Sequence, residues 1–263
     1  MKKLSTYSNI FFMIILCKTI LFAQPKSYSV QNAHAHNDYL HEKPFLEAYS
    51  LNYGMIEADI FIQNDELMVA HEKRSIKVQN TLTALYINPL IEQIKENKGR
   101  PYGDGKRLRL LIDIKEDGTQ VLRLLEKQLK PNRHFFDLKH NPDAVQMIIS
   151  GDMPKSEDFK NYDTIFYFDG RPKTDYSTKN FKRIALISAS ILDYVKWNKA
   201  GIYSEKETLK LQNFVDSVHH TGKMVRFWAT PSNITSFKTL TDLGVDFIGS
   251  DSLLLLAEYF KKP

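Results

Sequence analysis

From residue 28 onward, short apolar runs rich in β-branched residues alternate with amphipathic stretches, about eight times over. A strand–helix alternation of this kind makes successive strands parallel and covers both faces of their sheet. The candidate strands are 27–35, 55–60, 108–114, 144–149, 164–168, 183–187, 224–228 and 245–248, with a short extended piece at 67–70. Candidate helices are 43–53, 81–98, 120–129, 206–220, 232–243 and 253–260, and in the second of these Leu82, Leu85, Leu90, Ile91 and Ile94 recur at helical spacing. Gly222 follows one helix at the usual stop position, and Ser232 is placed to cap the next. With 263 residues the chain has the length of one closed barrel, so the reading is an α/β fold made of a single TIM-type (β/α)₈ barrel over residues 24–263. Two long connections, 97–107 and 169–182, interrupt the pattern; the plain reading is solvated surface, and the alternative for the second, with its four Lys or Arg residues, is that it overhangs the site and meets an anionic group.

The first 23 residues are of another kind. Lys2 and Lys3 precede an apolar run from Asn9 to Leu16, and Leu21-Phe22-Ala23 stands before Gln24 and Pro25, the pattern of a secretory signal peptide cleaved after Ala23. Lys18 interrupts the apolar run and argues against a permanent span, the alternative being an uncleaved anchor. The protein is therefore expected in the periplasm or outside the cell. Its only cysteine, Cys17, leaves with the signal, which excludes a disulfide framework, a thiolate metal site and a cysteine nucleophile. Three lysines and no acid leave too, lowering the formal charge from +5 to +2, so no nucleic-acid partner is expected.

Chemistry-bearing residues concentrate at predicted strand ends: His34-Ala35-His36-Asn37-Asp38-Tyr39, Glu57-Ala58-Asp59, His71, and Asp113-Ile114-Lys115. Residues i and i+2 of a strand share a face, so Glu57 with Asp59, Asp113 with Lys115, and His34 with His36 point together. Barrel enzymes place their sites at the C-terminal ends of the strands. Three carboxylates converging there repel one another unless a cation lies among them, and oxygen donors favour a hard divalent ion, Mg²⁺ or Ca²⁺.

The ordered set His36-Asn37-Asp38-Tyr39-Leu40, Glu57-x-Asp59 and His71 resembles the signature of the PLC-like phosphodiesterases, which include phosphatidylinositol-specific phospholipase C and the glycerophosphodiester phosphodiesterases. The His-Asn-Asp-Tyr stretch brings it nearest to the altered-inheritance-of-mitochondria phosphodiesterase-like family. The C-terminal part is similar as well, in Arg226-Phe227-Trp228-Ala229-Thr230, Gly244-Val245-Asp246 and Ser250-Asp251. The resemblance implies His36 and His71 as the acid–base pair and Glu57 and Asp59 as metal ligands, with Asn37 and Asp113 completing the set. It also implies Lys115 facing the phosphate. Arg226 and Trp228 lie on one face of a late strand and, with Tyr39, are candidates for substrate contact. The chain departs from the glycerophosphodiesterases in having Asn37 where they carry arginine, and Asp113 where glutamate is usual.

The resulting reading is a metal-dependent phosphoric diester hydrolase acting on a small or lipid-derived phosphodiester, with transient membrane-surface contact left open. Two other readings remain. His34-x-His36 also opens metal-dependent amidohydrolase barrels, with Asp251 as a late aspartate, but His134, His140, His219 and His220 fall in a loop or at a helix end. A barrel that binds a phosphorylated ligand without turnover is the third. Ser188 and Ser190 have no paired base, which argues against a serine hydrolase. Expression in a secretion-competent host should release a mature chain beginning at Gln24; intact-mass measurement showing Met1 retained on the exported protein would refute the signal assignment.

Overall fold

The computed structural model describes residue 25 and residues 27–261. The signal-peptide assignment and Cys17 lie outside the described residues. The strands are β1 Ala33–Ala35, β2 Met55–Gln63, β3 Glu66–Val69, β4 Arg109–Ile114, β5 Gln146–Gly151, β6 Phe166–Gly170, β7 Ile184–Ser190, β8 Met224–Trp228 and β9 Ile248–Ser250. The helices are α1 Leu46–Ser50, α2 Asn88–Glu96, α3 Gly118–Leu129, α4 Thr178–Phe181, α5 Glu205–His219, α6 Ile234–Asp242 and α7 Leu253–Lys261. Eight parallel strands run in the order β8-β7-β6-β5-β4-β2-β1-β9. The seam between β8 and β9 is closed by a parallel bridge from Arg226 to Phe247 and by the amides of Asp246 and Phe247 on the carbonyl of Val225. The expected barrel is thus formed.

Two layers of apolar packing hold it. The larger lies between the outward faces of the strands and the helices: Ile56, Ala58 and Ile60 of β2, and Leu110, Ile112 and Ile114 of β4, meet Leu90, Ile94, Val121 and Leu125 of the helices. The smaller fills the lower barrel interior with Met55, Leu111, Ile148, Leu186 and Phe247. The period of two along each strand then puts Glu57 and Asp59 above Met55, and Asp113 above Leu111, all inward. Strand register places Asp59 beside Asp113, Asp113 beside Ser150, and Ser188 beside Arg226.

Local departures from the sequence pattern have local causes. The first strand shrinks to three residues because Ser29 and Asn32 cap each other and wind 30–32 into a 3₁₀ turn. The extended piece at 67–70 is no barrel stave: β3 folds back antiparallel on the overlong β2, bringing Ala70 to the level of Asp59. The helix at 81–98 starts as a π-turn over Thr83–Ile87, where Pro89 lacks the amide that an α-turn would donate to the preceding turn. The cap of α6 is Asn233, whose side chain accepts from the amide of Ser236, while Ser232 accepts from Asp251 instead.

One glycine is fixed by the barrel. Gly151 ends β5 at φ +75, and a Cβ there would lie 2.1 Å from the carbonyl oxygen of Ile114 and 2.7 Å from Asp113 Oδ1. Gly222 has a similar φ, +76, but open space around it. Gly222→Ala should therefore cost only the left-handed backbone penalty, roughly 1–2 kcal/mol. Gly151→Ala should cost at least about 3 kcal/mol and lower the melting midpoint by roughly 6–12 °C. Equal shifts for the two variants in thermal unfolding would show that the close approach is absent.

Candidate active site

The C-terminal ends of the strands surround a cavity of about 330 Å³ lined by His36, Glu57, Asp59, His71, Asp113, Lys115, Arg226 and Trp228, together with Ser150, Gly151 and Arg171. Eight of the ten residues singled out from the sequence share this one cavity. The other two, Asn37 and Tyr39, lie immediately behind the histidines.

The backing of the histidines is a single chain of hydrogen bonds. His36 Nδ1 lies 2.6 Å from Asp251 Oδ1, and the same oxygen accepts from Asn37 Nδ2 at 3.2 Å. The other end of that amide, Asn37 Oδ1, lies 2.7 Å from the Tyr39 hydroxyl, which is also 2.7 Å from Asp59 Oδ2 and 3.1 Å from His71 Nδ1. An ionised carboxylate only accepts, so His36 Nδ1 carries the hydrogen in this pair and Nε2 is left for other partners. A phenol has one proton to donate; spent on Asn37 or Asp59, it leaves a lone pair toward His71 Nδ1. Asn37 bridges the two halves from a left-handed backbone, φ 51, which asparagine tolerates better than most residues. Burial lowers the His36 pKa, but Asp251, Glu57 and Asp59 outweigh it and hold the imidazole above its usual range. Asp38, in the same stretch, plays no part in the cavity. It is buried, accepts from the amide of Phe45 and the Tyr86 hydroxyl, and ties the loop after β1 to the core.

One oxygen each from Glu57, Asp59 and Asp113 lies within 4.8 Å of the others. Burial, then the charge of Glu57, pushes Asp59 up to about 6, the mark of a carboxylate short of positive charge. For Glu57 burial opposes ionisation, yet the hydrogen bond and charge of His34, with Arg226, hold the carboxyl well below the usual range. Lys115 Nζ bridges Asp113 and Asp59, at 2.8 Å from the latter. A cluster of three converging carboxylates, one of them under-compensated, fits a hard divalent cation. Asn37, with both ends of its amide engaged, stands outside that cluster.

Beneath the carboxylates a second charged group is sealed from water. Arg226 is 5% exposed; Nη1 donates to Glu57 Oε2 at 3.2 Å and Nη2 to Asp169 Oδ2 at 3.3 Å. Asp169 also accepts from the hydroxyls of Ser150 and Ser188 and pairs with Arg171 at 2.7 Å. His34 Nε2 lies 2.8 Å from Glu57, so this histidine supports a carboxylate from inside the barrel. Ser150 and Ser188 carry no sequence signal for this site; Asp169-Gly170-Arg171 reads as an ordinary turn, although its place at a strand's C-terminal end, opening the basic 169–182 connection, is a usable signal. Asp251 belongs to the C-terminal stretch that carries the resemblance and is the late aspartate of the amidohydrolase reading; its pairing with His36 is not legible in either. Neither His140, paired with Asp137, nor His219, buried on Asp246, lines the cavity, so the histidines an amidohydrolase needs are not assembled.

A parallel barrel with two histidines, a carboxylate cluster and basic residues at one mouth agrees with the phosphodiesterase resemblance read from the sequence. Residues 26–154 match the AIM6-like phosphodiesterase domain. The chain is 26% identical to the Altered inheritance of mitochondria protein 6 homolog of Arthroderma benhamiae, over 86% of this chain and 83% of that one. Among solved structures it resembles a glycerophosphodiester phosphodiesterase from Parabacteroides distasonis, with a TM-score of 0.51 and 16% identity over 88% of this chain and 98% of the other. It also resembles an Oleispira antarctica phosphodiesterase in complex with sn-glycerol-3-phosphate, with a TM-score of 0.53 and 11% identity over 88% and 97%. The chain carries an AIM6-like phosphodiesterase domain and is homologous to Altered inheritance of mitochondria protein 6.

Removing Arg226 leaves Glu57 and Asp169 buried without their shared partner. Arg226→Met should cost roughly 3–5 kcal/mol of folding stability. A urea-denaturation difference below about 1 kcal/mol, the worth of an exposed pair, would show that the guanidinium does not hold this layer.

Proposed function

We propose that the protein hydrolyses phosphoric diesters at this cavity, using His36 and His71 as a proton-transfer pair and one divalent cation held by Glu57, Asp59 and Asp113. The observation that carries the reading is the convergence of both imidazoles, the carboxylate cluster and Lys115 on a single cavity, with each Nδ1 occupied from behind. A bound cation would supply charge neutralisation at a non-bridging phosphate oxygen. Lys115 and Arg171 face the cavity and steady the anion, while Arg226 adds positive field from below and Trp228 forms part of the wall.

In this reading His36 is the base. Asp251 fixes its tautomer and stabilises the imidazolium that forms when Nε2 takes a proton from the attacking hydroxyl, whether of the substrate or of water. The new P–O bond forms as the bond to the leaving alcohol breaks, and His71 delivers a proton to that departing oxygen. The alcohol of the Oleispira complex supports glycerol or a related polyol as one half of the diester. Export by residues 1–23 would put this chemistry outside the cytoplasm.

The test uses bis-p-nitrophenyl phosphate. Turnover should be abolished by EDTA and restored by Mg²⁺ or Ca²⁺. His36→Ala and His71→Ala should each lower kcat by roughly 10²–10⁴-fold with an unchanged melting midpoint. Turnover indifferent to EDTA would remove the cation from the proposal, and near-wild-type rates in either variant would remove that histidine. Binding of the diester without turnover would instead favour the ligand-binding barrel.

A further inference from the structure

The exposed apolar side chains are distributed unevenly. Among the described residues ten large hydrophobic side chains are exposed, and nine of them lie at a strand's C-terminal end, on the segment that follows it, or in the first turn of the next helix. The tenth, Leu209, is in the second turn of α5. Among the described residues none lies on a connection from a helix back to a strand. In a parallel barrel this gathers the exposed apolar side chains at one end, among charged ones such as Lys73, Lys173 and Lys196, and it is the end that holds the catalytic cavity.

The densest part is the segment between β7 and α5, where Leu192, Trp197 and Ile202 are 46%, 59% and 60% exposed. This segment is not loose. The side chain of Asn233 donates to the carbonyl of Lys199, Thr239 donates to the carbonyl of Gly201, and Asn198 donates to the carbonyl of Ile202. The backbone is pinned to α6 while the apolar side chains are held outward. Lys196 and Lys199, both exposed, flank Trp197. Leu40 and Val78, 68% and 84% exposed, add to the same end beside His71, and Trp228 belongs both to this surface and to the cavity wall.

We infer that this end of the barrel docks on an anionic phospholipid bilayer, so that the diester it cleaves is part of a membrane lipid; the substrate half of this statement rests on the proposed phosphodiesterase reading. A rigid display of tryptophan and aliphatic side chains beside lysines is suited to an interface of acyl chains and acidic headgroups. The cavity opens on the same surface, so a folded protein seated there would close it, whereas a bilayer presents phosphodiesters to it.

The sequence makes the test direct. Its two tryptophans, Trp197 and Trp228, both lie on this surface, and residues 1–23 contain none, so tryptophan emission from the full chain reports this face and no N-terminal tether. Mixed with vesicles of phosphatidylcholine and phosphatidylglycerol, the protein should show a shift of emission to shorter wavelength and quenching by lipids brominated on their acyl chains. Trp228→Phe should retain the response through Trp197. Leu192→Ser with Ile202→Ser should weaken the response at least about tenfold, and Lys196→Glu with Lys199→Glu should weaken it on these vesicles. Both pairs should leave turnover of soluble bis-p-nitrophenyl phosphate unchanged. Unchanged emission with lipid would overturn the inference, as would a shift that survives the Leu192/Ile202 change. A shift that follows protein concentration without lipid would show a second copy covering the face, and would overturn it too. Failure of the soluble assay alone would count against the catalytic reading and leave the emission result standing.

Discussion

Arg226 holds together the layer on which the rest of the site stands. Its two terminal nitrogens reach Glu57 on β2 and Asp169 on β6, strands that are neighbours neither of β8 nor of each other. A buried carboxylate without a partner is strongly destabilising, and a guanidinium that divides itself between two of them compensates both while tying three staves of the barrel at one level. Below it the interior is apolar; above it the carboxylates, histidines and Lys115 meet the cavity. The polar layer can sit inside a packed barrel only because its charges are answered from within.

The same economy orders the upper layer. Asp251, Asn37 and Tyr39 connect the two histidines by their Nδ1 atoms, so neither ring is free to rotate without breaking a bond to the shared chain. Asn37 and Tyr39 do this work from behind the rings. Asn37 replaces an arginine of the glycerophosphodiesterases; in this chain the position links one histidine's partner to the other's, a role that needs a donor and an acceptor on one short side chain.

Much of this was legible in the sequence because two periodicities carry it. The strand–helix alternation specifies a parallel sheet, and the period of two within Glu57-Ala58-Asp59 and Asp113-Ile114-Lys115 specifies which side chains turn inward. The elements that depart from the pattern are decided by local bonds made or missing: the reciprocal capping of Ser29 and Asn32 and the absent amide of Pro89; the extended piece at 67–70 is present, but its antiparallel pairing with β2 is set by the ladder between them. Asp169-Gly170-Arg171 reads as a plain turn and Ser188 as a serine without a paired base, while Ser150 stands alone at its strand end; nothing local says that the barrel gathers them around Arg226. The gathering of exposed apolar side chains at one end of the barrel is likewise not legible in the sequence, since Leu40, Val78, Trp197 and Leu254 are far apart along the chain.

By itself the sequence determined the eight parallel staves, which side chains share a face in the strands that carry the site, and the residue types at their C-terminal ends, because hydrophobic period and side-chain alternation are local properties of the backbone. Only the tertiary structure decided which of those ends are neighbours. Closure of the barrel at β8 and β9 brings Asp251 to His36 and Arg226 to Glu57 across more than a hundred residues of chain. The energy that selects those partners is the compensation of buried charge, a property of the assembled interior and of no segment alone.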